Sequence, residues 1–545
     1  MAPLDPVITS LFFLLAVVIS GILARVTRLP LPLVQIGLGA AIALLEIQAV
    51  ELRPELFFLL FLPPLLFLDG WRIPKGDLLR DRAAVLALAI GLVVLTVLGL
   101  GWFIHWMIPA VPLAVAFALA AIISPTDPIA VSAISARAPI PKRMMHILEG
   151  EALLNDASGL VCMRLAVAAM LTGGFSVQQA VLSFLWLALG GVAVGVGVTL
   201  GVSRAKQWVS DRLGEDTGAQ VLVSLLMPFA AYLAAERLHC SAILAAVAAG
   251  VTMSFTEQTG LALAATRVRR TAVWDTVQFT ANGVIFVLLG EQMPALLSKA
   301  AKTVKTTGHA EAWWLAIYVL AIVAALGAMR FAWVWMSFRW TLFRARRRDA
   351  VSQTADWRLI AAMTLAGVRG AITLAGVLTL PLHLHDGTAF PARNLAIFLA
   401  GGVILVSLVV ASVGLPRVLE GLKIPPEPSR QVEIDEARVA AAQAAIQAIE
   451  GAQHALAEGR ADADLYAGAA ARVMQLYRQR IDARARGPEA LALDQQIDQI
   501  ERKLRLAGLA AERAEIFRRA RARELEDEEA RRLVREIDLL EARYS

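Results

Sequence analysis

Glu149, Glu151, Asn155 and Asp156 stand in a stretch, Leu148 to Val161 (LEGEALLNDASGLV), whose apolar character continues to Met170. A carboxylate near the middle of a bilayer costs at least about 2.5–3.5 kcal/mol, so a chain that keeps one there uses it. Asp156 is therefore a site candidate by default. On a helix, residues four apart share a face: Glu151 and Asn155 stack one turn apart, while Asp156 is turned about 100° from Asn155. One edge thus presents an amide beside a glutamate that needs a cationic partner to stay ionised. The other presents a lone carboxylate able to hold a proton or a small hard cation.

A second set is SPTDPIAV, Ser124 to Val131. Pro125 and Pro128 lack amide hydrogens and clash with the preceding turn, so carbonyls near Ala121 and Ser124 lose their helical partners. Broken backbone at membrane depth is tolerated only where it lies inside protein or lines a polar cavity. Thr126 and Asp127 sit at that break, where a hydroxyl, a carboxylate and free carbonyls make hard oxygen ligands for an alkali cation. The plainer reading is a proline kink with Asp127 as a local helix cap. A third set is LAGVRGAITLAG, Leu365 to Gly376, in which Gly367, Gly370 and Gly376 weaken the helix around Arg369. The plainer reading of Arg369 is an arginine snorkelling to a membrane face. Arg330 lies deep in another apolar run (AALGAMRFAWVW) and wants a carboxylate in bidentate contact. Glu151 is the expected partner, in an ion pair that is chiefly structural and leaves Asp156 free to titrate. Arg164 is read as snorkelling outward, and Asn282 as a helix–helix hydrogen bond.

The elements that position these residues follow from composition. Of 545 residues 58% are hydrophobic, against roughly 45–50% in a soluble domain, so the chain is an integral membrane protein. Its net charge of +6 is explained by arginines flanking membrane helices and gives no reason to expect a nucleic-acid partner. Cys162 and Cys240, the two cysteines, lie in apolar runs and support neither a disulfide framework nor a cysteine metal site. Apolar windows predict an all-α, polytopic fold with about thirteen membrane helices. Basic residues mark alternate loops, at Arg25 and Arg28, Arg72 to Arg82, Arg137 to Arg143, Arg204 to Arg212, Arg267 to Arg270, and Arg344 to Arg348. The positive-inside rule then puts the N-terminus outside and the C-terminus in the cytoplasm, with Lys299, Lys302 and Lys305 as the dissenting loop. The breaks fall in the fifth and twelfth windows, equivalent places if two six-helix halves are joined by the seventh helix. Paired interrupted helices point to a transporter site at a repeat interface.

The membrane domain is expected over residues 1–422 and a cytoplasmic helical tail over 423–545. The tail is broken near Gly459 and Gly487, and its stripe Leu493, Ile497, Ile500, Leu504 and Ala507 suits a helical bundle or coiled coil.

Read together and in order, SPTDPIAV, EGEALLNDASGLV, SAILAAVAAG, NGVIFVLLG, the arginine of the eleventh helix and GVRGAITLAG resemble the sodium/proton exchanger family of the NhaP and NHE kind, over roughly residues 6–420. The resemblance implies two inverted repeats with helices 5 and 12 broken, and a homodimer. It implies a dimerising part from helices 1–3 and 8–10 and a moving core from helices 4–6 and 11–13. It gives Asp156 the role of cation and proton site, with Na⁺ bound there, and places Asn155, Thr126 and Asp127 around it. Glu151 pairs with Arg330, and Arg369 belongs to the broken twelfth helix. Many members carry serine where this chain has Ala152, so Ser158 or water is expected to replace that oxygen. The expected activity is antiport of a monovalent cation (Na⁺, K⁺ or Li⁺) against H⁺, in an inner cell membrane, without an enzyme reaction or cofactor. The neutral Asn155 beside one titrating carboxylate favours one cation per proton. Rival readings are a channel or sensor that has lost transport, and an intramembrane aspartyl protease using Asp127 and Asp156.

Overall fold

A computed structural model of the chain describes residues 6–44, 54–73, 75–76, 82–128, 131, 140–172, 177–257, 263–306, 313–346, 357–384, 387–420, 428–458, 463–485 and 488–544. Arg80, Arg137, Arg348, Gly459 and Gly487, named above, lie outside the described residues, as do the side chains of Lys299, Lys302 and Lys305. The chain divides into two compact units, residues 1–423 and 424–545.

The first unit comprises α1 (Pro6–Thr27), α2 (Leu31–Leu44), α3 (Pro54–Arg72), α4 (residues 82–107), α5 (Leu113–Ile123), α6 (Lys142–Thr172) and α7 (Val177–Leu213). It continues through α8 (Thr217–Arg237), α9 (Ala242–Glu257), α10 (Ala264–Thr306) and α11 (Trp314–Arg346) to α12 (Trp357–Leu365), α13 (Ala371–Leu378) and α14 (Arg393–Leu419). Among the described residues seven helices are long and apolar enough to cross a membrane: α4, α6, α7, α8, α10, α11 and α14. The only extended pairing described is a single antiparallel bridge, His383 with Ala389.

Packing sorts these helices into two groups. In one, α2 lies along α10 and α3 along α9, with α1, α7 and α8 around them; in the other, α4, α5 and α6 pack together and α11, α12 and α14 pack together. The groups meet where α14 runs beside α10. Both main crossings of the first group use the same device. A Cβ on Gly39 of α2 would collide with the Val287 carbonyl of α10, and one on Gly290 of α10 with the Ile36 carbonyl of α2. Likewise Gly70 of α3 abuts the Val247 carbonyl of α9, and Gly250 of α9 the Phe67 carbonyl of α3. Small residues let backbones approach closely, which drives helix association where both helices and lipid are apolar.

The second unit is a set of helices α15 (Pro428–Ala457), α16 (Ala463–Ala485), α17 (Pro488–Arg521) and α18 (Asp527–Tyr544). Ala442, Ala470, Met474, Leu509, Ala530 and Ile537 are buried in it, and Arg513 of α17 reaches Asp538 of α18 at 3.1 Å. Hydrogen bonds from Arg518 and Arg519 hold the Glu515 carboxyl down at about 2. The stripe Ile497, Ile500 and Leu504 is exposed, because α17 turns its Leu509 and Arg513 region to its neighbours instead.

The glycine crossings give a test. Gly290→Ala places a Cβ into the Ile36 carbonyl and is expected to cost about 1–3 kcal/mol by overpacking, lowering the melting temperature of the purified protein in detergent. Gly37→Ala, on the same α2 but with nothing within 4 Å of its Cβ, is expected to leave that temperature unchanged.

Candidate functional site

Two helices stop inside the membrane unit, and each stops for a reason visible in its residues. α5 ends at Ile123 because Pro125 and Pro128 follow, leaving residues 125–127 non-helical. α12 ends at Leu365, and residues 367–370, with Gly367 and Gly370, stay non-helical until α13 begins at Ala371. The two interruptions complete one another. The Asp127 N–H donates to the Val368 carbonyl at 2.7 Å, and Arg369 Nε donates to the Ile123 carbonyl at 2.7 Å. The same guanidinium reaches the Gly367 carbonyl, and the Arg369 N–H donates to Ser407 Oγ of α14 at 3.2 Å. Arg369 thus places its charge at the negative end of α5, and Asp127 places its carboxylate at the start of α13, each opposing a helix dipole. Gly370 is required here, since any Cβ would overlap the Asp127 carboxylate.

A chain of buried polar groups runs from this crossing into α6. Arg330 of α11 clamps Glu151 of α6 with both arms, Nη1 to Oε1 at 2.5 Å and Nη2 to Oε2 at 2.7 Å, and the pair is almost wholly buried (2% and 1% exposed). Arg330 Nε donates to the Met363 carbonyl at 2.9 Å, satisfying an open end of α12. Thr126 Oγ1 donates to Glu151 Oε1 at 3.2 Å and accepts from Asn155 Nδ2 at 3.1 Å. The chain ends with Asn155 Oδ1, a buried oxygen without a hydrogen-bond partner.

Asp156, the next residue along α6, faces a small cavity of about 20 Å³. Its lining includes Thr126 and Asp127 from the α5 break, Gly370 and Thr373 from α13 and its approach, Asp69 from α3 and Asn282 from α10. That volume holds about one water-sized particle. It shares Asp69, Pro128 and Asn282 with a larger cavity of about 430 Å³. One wall of the larger cavity is α6, through Met145, Glu149, Ala152 and Leu153; the other is α2, α3 and α10, where Arg72 pairs with Asp275 and donates to Gln278 at 2.7 Å. These are the helix ends flanked by Arg28, Arg72, Arg143 and Arg267 to Arg270.

Thr126, Asp127 and Asp156 are brought to one small cavity, with Asn155 bonded to Thr126 beside it and Glu151 and Arg330 joined behind it. Ser158 is not among the residues lining the small cavity. Its hydroxyl donates to the Ala89 carbonyl of α4 at 2.7 Å, because two residues beyond Asp156 an α-helix has turned by about 200°. Arg164 is exposed on α6. Sequence reasoning missed Asp69 and Thr373 and read Asn282 as packing alone. The signal for Asp69 was an acid closing an apolar run (LPPLLFLDG), masked by its nearness to Arg72, which made it look like a boundary charge.

The buried ion pair predicts a distinctive pattern of stability. Removing one partner, as in Arg330→Met or Glu151→Gln, strands a buried charge or its partner's donors and is expected to cost about 3–5 kcal/mol. The double substitution Glu151→Gln with Arg330→Met is expected to recover much of that loss. Thermal unfolding of the four purified proteins checks it.

Comparison with known proteins then places the chain. The family described as "Sodium/hydrogen exchanger, transmembrane" matches residues 13–421. The chain is 41% identical over 541 residues to a protein of Escherichia coli described as "Uncharacterized Na(+)/H(+) exchanger YjcE", covering 98% of each. It is 38% identical over 533 residues to the sodium, potassium, lithium and rubidium/H(+) antiporter of Bacillus pumilus, covering 96% of this chain and 76% of that one. In structure it resembles the sodium proton antiporter MjNhaP1 from Methanocaldococcus jannaschii, with a TM-score of 0.57 at 16% identity, covering 76% of this chain and 99% of that one; this likeness bears on the fold. With an all-helical polytopic fold, a family match across the whole membrane unit and full-length relatives at about 40% identity, the chain belongs to the sodium/hydrogen exchanger family.

Proposed function

We propose that this monovalent cation/proton antiporter works by competition at Asp156, where either a partly dehydrated cation or a proton is held, never both. The observation that carries the reading is the small space at Asp156: a cavity of about 20 Å³ that shares Asp69, Pro128 and Asn282 with the larger one. A space of that size suits one occupant. The oxygens of Thr126, Asp127, Asp69, Asn282 and Thr373 around it are the hard ligands an alkali cation takes. The Bacillus pumilus relative is described as moving sodium, potassium, lithium and rubidium, so Na⁺, K⁺ and Li⁺ are all candidate substrates here.

Alternating access follows from the two packing groups. α4–α6 and α11–α14 carry the ion pair, the helix crossing and Asp156, and form the moving core. α1–α3 and α8–α10 form the static dimerising part, with α7 packed against α9. The arrangement is two inverted repeats in thirteen spans, the twelfth being α12 and α13 together. Exchanging α2 with α9 and α3 with α10 carries one glycine crossing onto the other, which supports that symmetry. The cavity opens between helix ends flanked by arginines, which supports an inward-facing state, N-terminus outside and C-terminus cytoplasmic, in an inner membrane. Glu151 with Arg330 and Arg369 with the α5 end keep the core rigid as it moves. Neither of the rival readings gains an observation: Asp127 and Asp156 line a cavity of about 20 Å³, room for one water-sized particle and not for a peptide substrate.

Proteoliposomes with a pH reporter inside test this reading. Na⁺, K⁺ or Li⁺ pulses are expected to dissipate a proton gradient, and Asp156→Asn is expected to abolish the response; a wild-type pH profile in that variant would sink the assignment. Stoichiometry is checked separately. Asp127 is opposed by the helix dipole of α13 and Asp69 stays with the static part, so only Asp156 exchanges its charge as it crosses. Turnover is therefore expected to be insensitive to a clamped membrane potential, whereas one uncompensated charge per cycle would couple about 2.3 kcal/mol per 100 mV.

A further inference from the structure

α4 carries an irregularity that ion exchange at Asp156 does not by itself require. Between Ala87 and Leu92 its backbone is π-helical, a rare geometry found mostly as short bulges inside α-helices and often at functional sites. The N–H of Val93, which in an α-helix would bond the Ala89 carbonyl, donates to the Ile90 carbonyl instead. Ala89 is fully buried, and its carbonyl accepts from Ser158 Oγ at 2.7 Å. The same hydroxyl lies 3.1 Å from the Leu154 and Asn155 carbonyls of its own helix. A hydroxyl has one proton to donate, and the shorter bond crosses to α4. Two residues on, Gly91 lies against the Trp333 ring so closely that a Cβ would overlap it. Ser158 stands two residues after Asp156 on α6, and Trp333 three residues after Arg330 on α11. The π-helical stretch is gripped by the two helices that bear the exchange carboxylate and the arginine of the ion pair.

We propose that this stretch of α4, held by the Ser158 hydroxyl, fixes the setting of α6 at Asp156 and thereby the pH at which exchange is half-maximal; Ser158 is a positioning residue and not a cation ligand. The inference rests on the reading of Asp156 as the contested carboxylate. Asp156 shares its cavity with Asp69 of α3 and Asp127 of the α5 break, and Glu151 of its own helix lies behind them, bonded to Thr126. Arg330 of α11 and Arg369 between α12 and α13 are the buried cations of the same polar chain, and Asn282 of α10 and Thr373 of α13 complete the cavity without charge. Among so many charges in a medium of low dielectric, interaction energies change steeply with separation. A small turn of α6 alters every one of these distances together. Without the hydroxyl, the bond that ties the Ala89 carbonyl of α4 to α6 is lost, and α4 shifts against α6.

The test uses the full-length protein in proteoliposomes, with Na⁺-driven proton release followed against pH and normalised to folded protein. Ser158→Ala is expected to move the half-maximal pH by about half a unit or more, since the charges around Asp156 sit at changed distances. The order of preference among Na⁺, Li⁺ and K⁺ is expected to stay as in the wild type, and Ser158→Thr, which keeps the hydroxyl, is expected to restore the profile. An unmoved midpoint in folded Ser158→Ala overturns the proposal. So does an unmoved midpoint with a half-saturating Na⁺ concentration raised about tenfold, which is the signature of a lost ligand. Should Ser158→Ala fail to fold, Gly91→Ala presses the same stretch from the Trp333 side. Its midpoint is expected to move as well, and a wild-type midpoint in folded Gly91→Ala overturns the proposal. Lost exchange in Asp156→Asn beside an unmoved Ser158→Ala overturns the positioning role alone. A wild-type profile in Asp156→Asn overturns it together with the reading on which it rests.

Discussion

A polypeptide interrupted inside a membrane must find partners for the backbone groups it frees, and here two interruptions find them in each other. Asp127 N–H meets the Val368 carbonyl, and the Arg369 guanidinium closes the open end of α5 at Ile123. Neither break is tolerable alone, since a lone set of unpaired amides and carbonyls away from water costs several kcal/mol per group. Crossing them settles that cost and leaves Thr126 and Asp127 among the residues that line the small cavity. The small cavity at Asp156 is thus a by-product of how broken backbone is repaired.

The same logic separates the two groups of helices. α2, α3, α9 and α10 approach through glycines set against carbonyls, a dry contact that admits no side chain and little sliding. α5, α6, α11 and α12 are tied by a continuous polar chain from the Met363 carbonyl through Arg330, Glu151 and Thr126 to Asn155. A buried ion pair is weak evidence for stability, because desolvation offsets most of its attraction. Its value here is geometric: breaking it would strand two buried charges, so the helices it joins are held as one piece.

Much of this was legible in the residues. Prolines or glycines set on both sides of a polar residue mark the breaks at residues 124–128 and 367–370, whereas Pro63 and Pro64, set among apolar residues, stay inside the unbroken α3. A bidentate partner for Arg330 follows from its depth, and Glu151 was the carboxylate with a polar neighbour on its own face. Asp69 was not legible, because its importance lies in the approach of α3 to the α5 break, a contact between residues far apart in sequence. Nor was the role of Ser158. A π-helical stretch of Ala, Leu, Ile and Gly has no compositional mark, and the direction of a hydroxyl two residues past Asp156 depends on what stands beside that face.

Under the proposed competition at Asp156, the lining of the small cavity accounts for both the holding and the release of an ion. Asp156, Asp127 and Thr126 belong to the helices tied by the polar chain and Thr373 to α13, which packs on α14 and α5, whereas Asp69 and Asn282 belong to the glycine-packed group. A cation's shell drawn from both is complete in only one relative placement of the two groups. Moving one group against the other strips ligands from the cation, and a ligand shifts a conformational equilibrium only by such a difference in affinity. A proton on Asp156 needs no shell and makes no comparable demand. Cation and proton therefore differ in what each asks of the arrangement as well as in charge, and an exchanger can be built from one carboxylate because of that difference.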